Sequence, residues 1–342
     1  MAGSWLGLLQ EGMRLATNAL PAARGEISAG LIDALRDSPR RAGEMPVRAA
    51  RQAGPYQGDL QLALYLCYEL HYRGIAGVSD EWEWNPALLE LRGELEARFL
   101  GGLRADVEPH EDVGSALDVL LAEPVNGTSL SHFLRDEGEL WQLREYAALR
   151  SLYHLKEADP EAWAIPRLTG RAKAGLVAVE YDEYGAGRAD RIHAKLYADL
   201  MADLGLDNRY GHYLEAGTAE MLAVVNLMSL FGLHRSLRGA LAGHYATVEV
   251  TSSPACRRLA KAMERVGAGP AAVRFYTEHV EADAVHEQLA RREIIGGLLE
   301  DEPELESDVV FGIDATGWVE DRFGAALLTA WRDGRSSLRV PL

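Results

Sequence analysis

The stretch Phe275–Ala290, FYTEHVEADAVHEQLA, spaces His279, Asp283 and His286 at i, i+4 and i+7. At about 100° per residue these three fall within one narrow helical stripe. Phe275, Ala282 and Leu289 share the stripe, so it faces a core. Two imidazoles and a carboxylate turned inward need a partner, because an unpaired carboxylate in low dielectric is costly. A bound divalent metal is the simplest one. A hydrogen-bonded network of core histidines is the plainer alternative, and the spacing alone does not separate the two.

Further donors lie upstream. Glu157 stands near the end of one helical segment, and Glu183 and His193 lie ten residues apart in EYDEYGAGRADRIHAKLY. Ten residues amount to about 80° of rotation, which keeps both on one side of a helix without placing them in one row. Gly185 and Gly187 fall between them and cost about 1 kcal/mol each against Ala inside a helix, so such a helix is locally loose. Glu249 follows in HYATVEVTSS. Glu157, Glu183, Glu249 and Asp283 supply four negative charges, which balance two divalent cations, and His193, His279 and His286 supply three imidazoles. Carboxylate and imidazole together suit iron or manganese. One metal is over-supplied by seven such ligands, whereas two metals sharing bridging carboxylates use them all. Glu183 also reads as an exposed member of the acidic run Glu180, Asp182, Glu183.

The elements that must position these groups read as almost all helix. Ala, Leu, Arg and Glu dominate, and no long run alternates with period two. The pattern predicts helices at 58–74, 86–105, 131–158, 167–203, 210–232, 235–250, 254–266, 270–299 and 306–332. Ser253-Pro254 reads as a cap followed by a first-turn proline. The turn-rich EPVNGTSL, 123–130, is the best boundary, dividing a helical N-terminal region, 1–125, from a domain over 126–342.

Composition narrows the function. The 342 residues carry a net charge of -17 without a basic stripe, which argues against a nucleic-acid or anionic-membrane surface. The Arg-rich stretch from Arg36 to Arg51, interrupted by Asp37 and Glu44, reads as a solvated arm. No apolar run reaches the length of a membrane span, and Glu11 and Arg14 break any signal-peptide pattern at the start. Cys67 and Cys256 are the only cysteines, which excludes CxxC zinc sites and leaves a cytoplasmic protein with reduced thiols as the expectation.

A ferritin-like di-iron bundle wants two Glu-x-x-His pairs, and this chain has one Asp-x-x-His and no second pair. From about residue 128 onward the chain instead resembles the haem-oxygenase-like di-iron oxidases and oxygenases, often described as iron-containing redox enzymes. The resemblance rests on Glu157, on EYG with its following histidine (Glu183, His193), on Glu249, and on the closing HxxxDxxH of His279, Asp283 and His286. The block ALYLCYELHYRG…DEWEWNP, 63–86, is similar to the helical N-terminal region of the larger members. The resemblance implies a haem-oxygenase-like helical bundle, two Fe2+ held by those seven residues, O2 as co-substrate, an external electron donor and a homodimer formed through the N-terminal region. A carboxylate at the position of Glu183 is most like the N-oxygenating branch. The expected reaction is therefore N-oxygenation of an amine or guanidine of a small amino-acid-derived substrate in natural-product biosynthesis. Desaturation or C–C cleavage of an amino acid or fatty acid is the alternative within the family. A haem-binding member of the fold, which leaves the carboxylates without a task, and a non-catalytic helical interaction protein are the alternatives outside it. A second reaction on an appended cupin domain is not expected.

The other histidines, His71, His110, His132, His154, His212, His234 and His244, read as structural, with His154 placed to support Glu157 and His244 a rival to Glu249. Trp82 and Trp84 read as packing or dimer residues. The apolar run Tyr213–Leu230, with Met221, Val225, Asn226 and Met228, reads as core or as a pocket wall.

Overall fold

The computed structural model describes residues 19–41, 43–122 and 127–342, with the backbone alone at 281, 283 and 284. The start of the chain and the 123–126 part of the expected boundary lie outside these residues. Among them the chain is helical throughout, with a single isolated β-bridge between Ala19 and Ala76.

The N-terminal region holds α1 (Glu26–Leu35), α2 (Val47–Gln52), α3 (Gly58–Glu69), α4 (Pro86–Asp106) and α5 (Val113–Leu121). Asn85 opens α4 by accepting from the amides of Ala87 and Leu88 at 3.0 and 3.2 Å, with Pro86 in the first turn. The stretch expected to be a solvated arm is anchored instead, since Met45 and Ala50 are buried in the core and α2 packs on α4. Helix α3 is apolar on every side, and each residue from Leu60 to Glu69 is buried. Such a helix must lie inside a fold.

The second part of the chain continues with α6 (Leu130–Asp136), α7 (Leu140–His154), α8 (Asp159–Ala162), α9 (Gly170–Glu183), α10 (His193–Asp203), α11 (Ala219–Leu233), α12 (Arg238–Arg265) and α13 (Pro270–Gln288). A π-helical turn, Leu289–Ile295, leads into α14 (Gly296–Asp301), and α15 (Glu306–Arg332) closes the bundle over the span the sequence predicts. Helix α12 lies at the centre, packed along α13 and α15. Helix α10 leans on α13, α9 on the π-turn, and α11 on α3. The α12–α15 crossing is close. A Cβ at Gly243 would overlap the Val309 carbonyl oxygen, and one at Gly312 the Ala240 carbonyl oxygen. One hydrophobic core runs from Ile27 to Trp331.

Several expected elements differ: the helix expected over 58–74 ends at Glu69, the one expected over 210–232 begins only at Ala219, and the one expected over 270–299 gives way to the π-turn after Gln288. The segment 131–158 is two helices separated at residues 137–139. The boundary at Ser253-Pro254 does not exist: α12 runs through Pro254, because burial against α13 and α15 outweighs the lost amide. The helix expected over 167–203 is broken at residues 184–192, where Gly185, Ala186 and Gly187 take φ of 69°, 52° and 78°. The glycines end a helix rather than loosen one. The run from Met221 to Gly232 is buried core, and Asn226 donates to the Gln61 carbonyl and side-chain oxygens at 2.9 and 2.7 Å.

Candidate metal centre

Five pieces of backbone carry the expected donors. Glu157 follows the end of α7, and Ala158, in the left-handed region at φ 71°, turns the chain into α8. A non-glycine residue holds that conformation only where its surroundings impose it. Glu183 is the last residue of α9 and His193 the first of α10, so the break between them is what brings them together. Gly185 is required there: besides its positive φ, a Cβ would lie 2.6 Å from the Arg191 carbonyl carbon. Glu249 projects from α12, and His279 and His286 from α13.

These side chains converge on two adjoining groups. Donor atoms of Glu157, Glu183, His193 and His279 lie within 4.8 Å of one another, and so do those of Glu183, Glu249 and His286. Glu183 belongs to both. Its Oε2 lies 2.6 Å from His193 Nδ1, while its Oε1 lies 3.6 Å from His286 Nδ1. His286 Nδ1 is also 3.3 Å from Glu249 Oε2, and His279 Nε2 is 3.7 Å from Glu157 Oε1. The side chain of Asp283 lies outside the described residues. Its backbone sits on α13, one turn after His279 and three residues before His286.

Hydrogen bonds on the far side of two rings fix which nitrogen faces inward. His279 Nδ1 donates to the Phe275 carbonyl at 2.8 Å, which turns Nε2 toward Glu157. His286 Nε2 donates to Asp182 at 3.3 Å, which leaves Nδ1 toward Glu183 and Glu249. Such outer partners set tautomer and ring orientation in metal sites. Asp182 was not anticipated from the sequence. His154 supports Glu157 as expected, with Nδ1 2.8 Å from Oε1.

The donor set fits divalent metal ions. Glu157 Oε2, Glu183 Oε2 and His193 Nδ1 are buried and make no hydrogen bond. The 2.6 Å approach of the last two lacks hydrogen-bond angles, so it satisfies neither atom. Burial raises the Glu157 carboxyl, but His154 and His279 outweigh it and hold the group well below the usual carboxylate range. Burial lowers His286, but Glu249, Glu183 and Asp182 outweigh it and bring the imidazole up to about 9. The charged forms of Glu157 and His286 are therefore the favoured ones without metal, and an ion bound at His286 would displace its proton. Both cysteines are free and buried, and neither belongs to these groups, so the donors are oxygen and nitrogen only.

The acidic run contains a residue that sequence reasoning passed over. Glu180 is 2% exposed and Glu183 is 6% exposed, while Asp182 faces outward. Their i, i+3 spacing was the available signal. Glu161, 2% exposed, was also missed. His244 is not a rival of Glu249. Its Nδ1 meets Thr316 Oγ1 at 2.9 Å, and its Nε2 lies 3.4 Å from Glu161. The other histidines are structural: His71 pairs with Glu83, His110 with Asp314, His132 with Ser129, His212 with Asp207 and His234 with Glu96. Trp82 is buried and donates to the Asp37 carbonyl, whereas Trp84 is 66% exposed.

The all-α bundle, which gathers carboxylates and imidazoles from several helices, has the haem-oxygenase-like fold. The chain is a member of the iron-containing redox enzyme family, whose model matches residues 144–320, a stretch that includes all seven candidate ligands. It is 27% identical over 146 residues to the nitrosourea synthase of Streptomyces achromogenes subsp. streptozoticus. That alignment covers 43% of this chain and 31% of the relative, so the chain matches about a third of that protein's length. Among the described residues, no helix is long and apolar enough to cross a membrane.

Proposed function

We propose that this protein is a non-haem di-iron, O2-dependent oxygenase that transfers oxygen to an amine or guanidine nitrogen of a small amino-acid-derived substrate in natural-product biosynthesis. The observation that carries the two-metal part is the position of Glu183 in both donor groups. Two donor groups that share one carboxylate suit two ions better than one, and the oxygen and nitrogen donor set suits iron. The nitrogen part is supported by the relative named a nitrosourea synthase, since a nitrosourea carries oxygen on nitrogen.

In this reading Glu157, His193 and His279 would hold one ion and Glu249 and His286 the other, with Glu183 within reach of both groups and Asp283 added by its place between the two histidines. Two ferrous ions, when bound, supply two electrons to O2. The chain's residues do the rest. Phe275 and Asp182 keep the ligating nitrogens of His279 and His286 aimed inward. Phe275 and Tyr197, both buried, pack on one another and on His154 and exclude water from that side. An external donor returns the electrons. A second copy of the chain, docked through the N-terminal region, where Trp84 is exposed, completes the assembly in the cytoplasm, and neither nucleic acid nor membrane takes part.

Anaerobic titration with Fe(II), followed by O2 and mass analysis of products from amine and guanidine amino acids, tests the reading. Two irons per chain and an oxygen-on-nitrogen product are expected. Binding at background level would return the site to a core hydrogen-bond network. An alkene or aldehyde product would assign the centre to desaturation or C–C cleavage.

A further inference from the structure

We propose that Glu161, Glu180 and His244 form a second buried site beside the candidate metal centre, and that it binds the cationic ammonium or guanidinium group of the substrate. The proposal rests on the oxygenase reading for the class of substrate and adds the residues that select it. Each member stands close to a candidate ligand on its own stretch of backbone. Glu161 follows Glu157 by four residues, Glu180 precedes Glu183 by three, and His244 precedes Glu249 by five.

All three are buried, at 2%, 2% and 1% exposure. Both carboxylate oxygens of Glu180 and the Oε2 of Glu161 make no hydrogen bond. His244 Nε2 stands 3.4 Å from Glu161 Oε1, again without hydrogen-bond angles, while its Nδ1 is occupied by Thr316. The buried hydroxyl of Tyr245, whose surroundings include Glu161, Glu180, Glu183 and Glu249, also makes no hydrogen bond. Carboxylate oxygens removed from water and left unsatisfied are among the costliest groups a fold can hold.

The fixed cations nearby are committed elsewhere. Arg73 donates to the Leu155 carbonyl at 2.9 Å and lies 3.9 Å from Asp159. Lys156 lies 3.2 Å from Glu69 and between the rings of Tyr65 and Tyr72. Burial, followed by the nearby Glu161, pushes the Glu180 carboxyl up to about 10, and a bound cation would offset both causes. The geometry favours a polyatomic cation over a bare ion. Among the described residues, the donor atoms gathered within 4.8 Å of one another are those of the two metal groups, and this trio is not so gathered. A guanidinium offers several N–H donors across a plane and can span separated carboxylates.

The test uses the full chain, both iron-free and loaded anaerobically with Fe(II), and titrates methylguanidinium chloride against the neutral N-methylurea by calorimetry. The wild type should prefer the cation in both states. The Glu161→Gln, Glu180→Gln double variant should lose about tenfold or more in methylguanidinium affinity while binding as much iron as the wild type. Should the double variant not fold, Glu180→Gln alone, which is nearly isosteric, carries the same expectation. Unchanged affinity in the variant, or no preference for the cation in the wild type, would overturn the proposal. Loss of an iron equivalent in the variant would do the same and make the trio part of the metal site. A wild type that binds no iron but keeps the cation preference would sink the di-iron reading and leave this site standing.

Discussion

Glu183 lies between His193 on one side and His286 with Glu249 on the other, and this makes it unlike the other candidate ligands. Glu249 belongs to one group only. Glu183→Gln should therefore lower Fe(II) binding at both positions, whereas Glu249→Gln should weaken one and leave about one iron per chain. Anaerobic titration with a ferrous chelator readout checks this, and equal stoichiometry in the two variants would contradict a shared carboxylate. His279 and His286 were legible as one stripe because a helical repeat puts them in a row whatever surrounds the helix. Glu180 and Asp182 were not. In a run of acids, which member turns inward depends on where the helix lies against its neighbours, and local spacing does not carry that.

At the scale of elements, the turn between α9 and α10 does the positioning. The sequence marks it with Gly185 and Gly187, but a glycine has the same appearance whether it weakens a helix or ends one. The outcome is decided by the close approach of Gly185 to Arg191 and by its φ of 69°. Gly185→Ala should destabilise the protein by about 1–3 kcal/mol. It should also weaken iron binding, because the shifted turn separates His193 from Glu183. Denaturant unfolding together with an Fe(II) titration measures both, and a loss of stability with full iron affinity would detach the turn from the site. By contrast, α15 was legible to its ends, since its amphipathic pattern is long and no proline interrupts it. Helix α12 was read as two because Pro254 is a strong local signal. Tertiary burial overrode it.

For the molecule as a whole, the division near residue 125 that composition suggests is crossed by a buried ion pair. Lys156, 1% exposed, holds Glu69 of α3 at 3.2 Å and rests against Tyr65 and Tyr72 of the N-terminal region. Tyr210 from the second part donates to the other oxygen of Glu69. Lys156 immediately precedes Glu157, so the N-terminal helices reach the candidate metal centre through one peptide bond. Sequence distance conceals this link, because the partners are 87 residues apart and each reads alone as an ordinary charged residue. Breaking a buried pair by neutralising one member strands the other charge, at a cost of about 3–5 kcal/mol. Glu69→Gln should lose stability of that order. Wild type and variant should still unfold in one transition, with helical circular dichroism and tryptophan fluorescence changing together, because α3 and α11 share one core and neither region can open alone. Two separate transitions in the wild type would show that the N-terminal region folds by itself. A Glu69→Gln cost below about 1 kcal/mol would show that Lys156 finds another partner or gives up its proton, as its burial already favours.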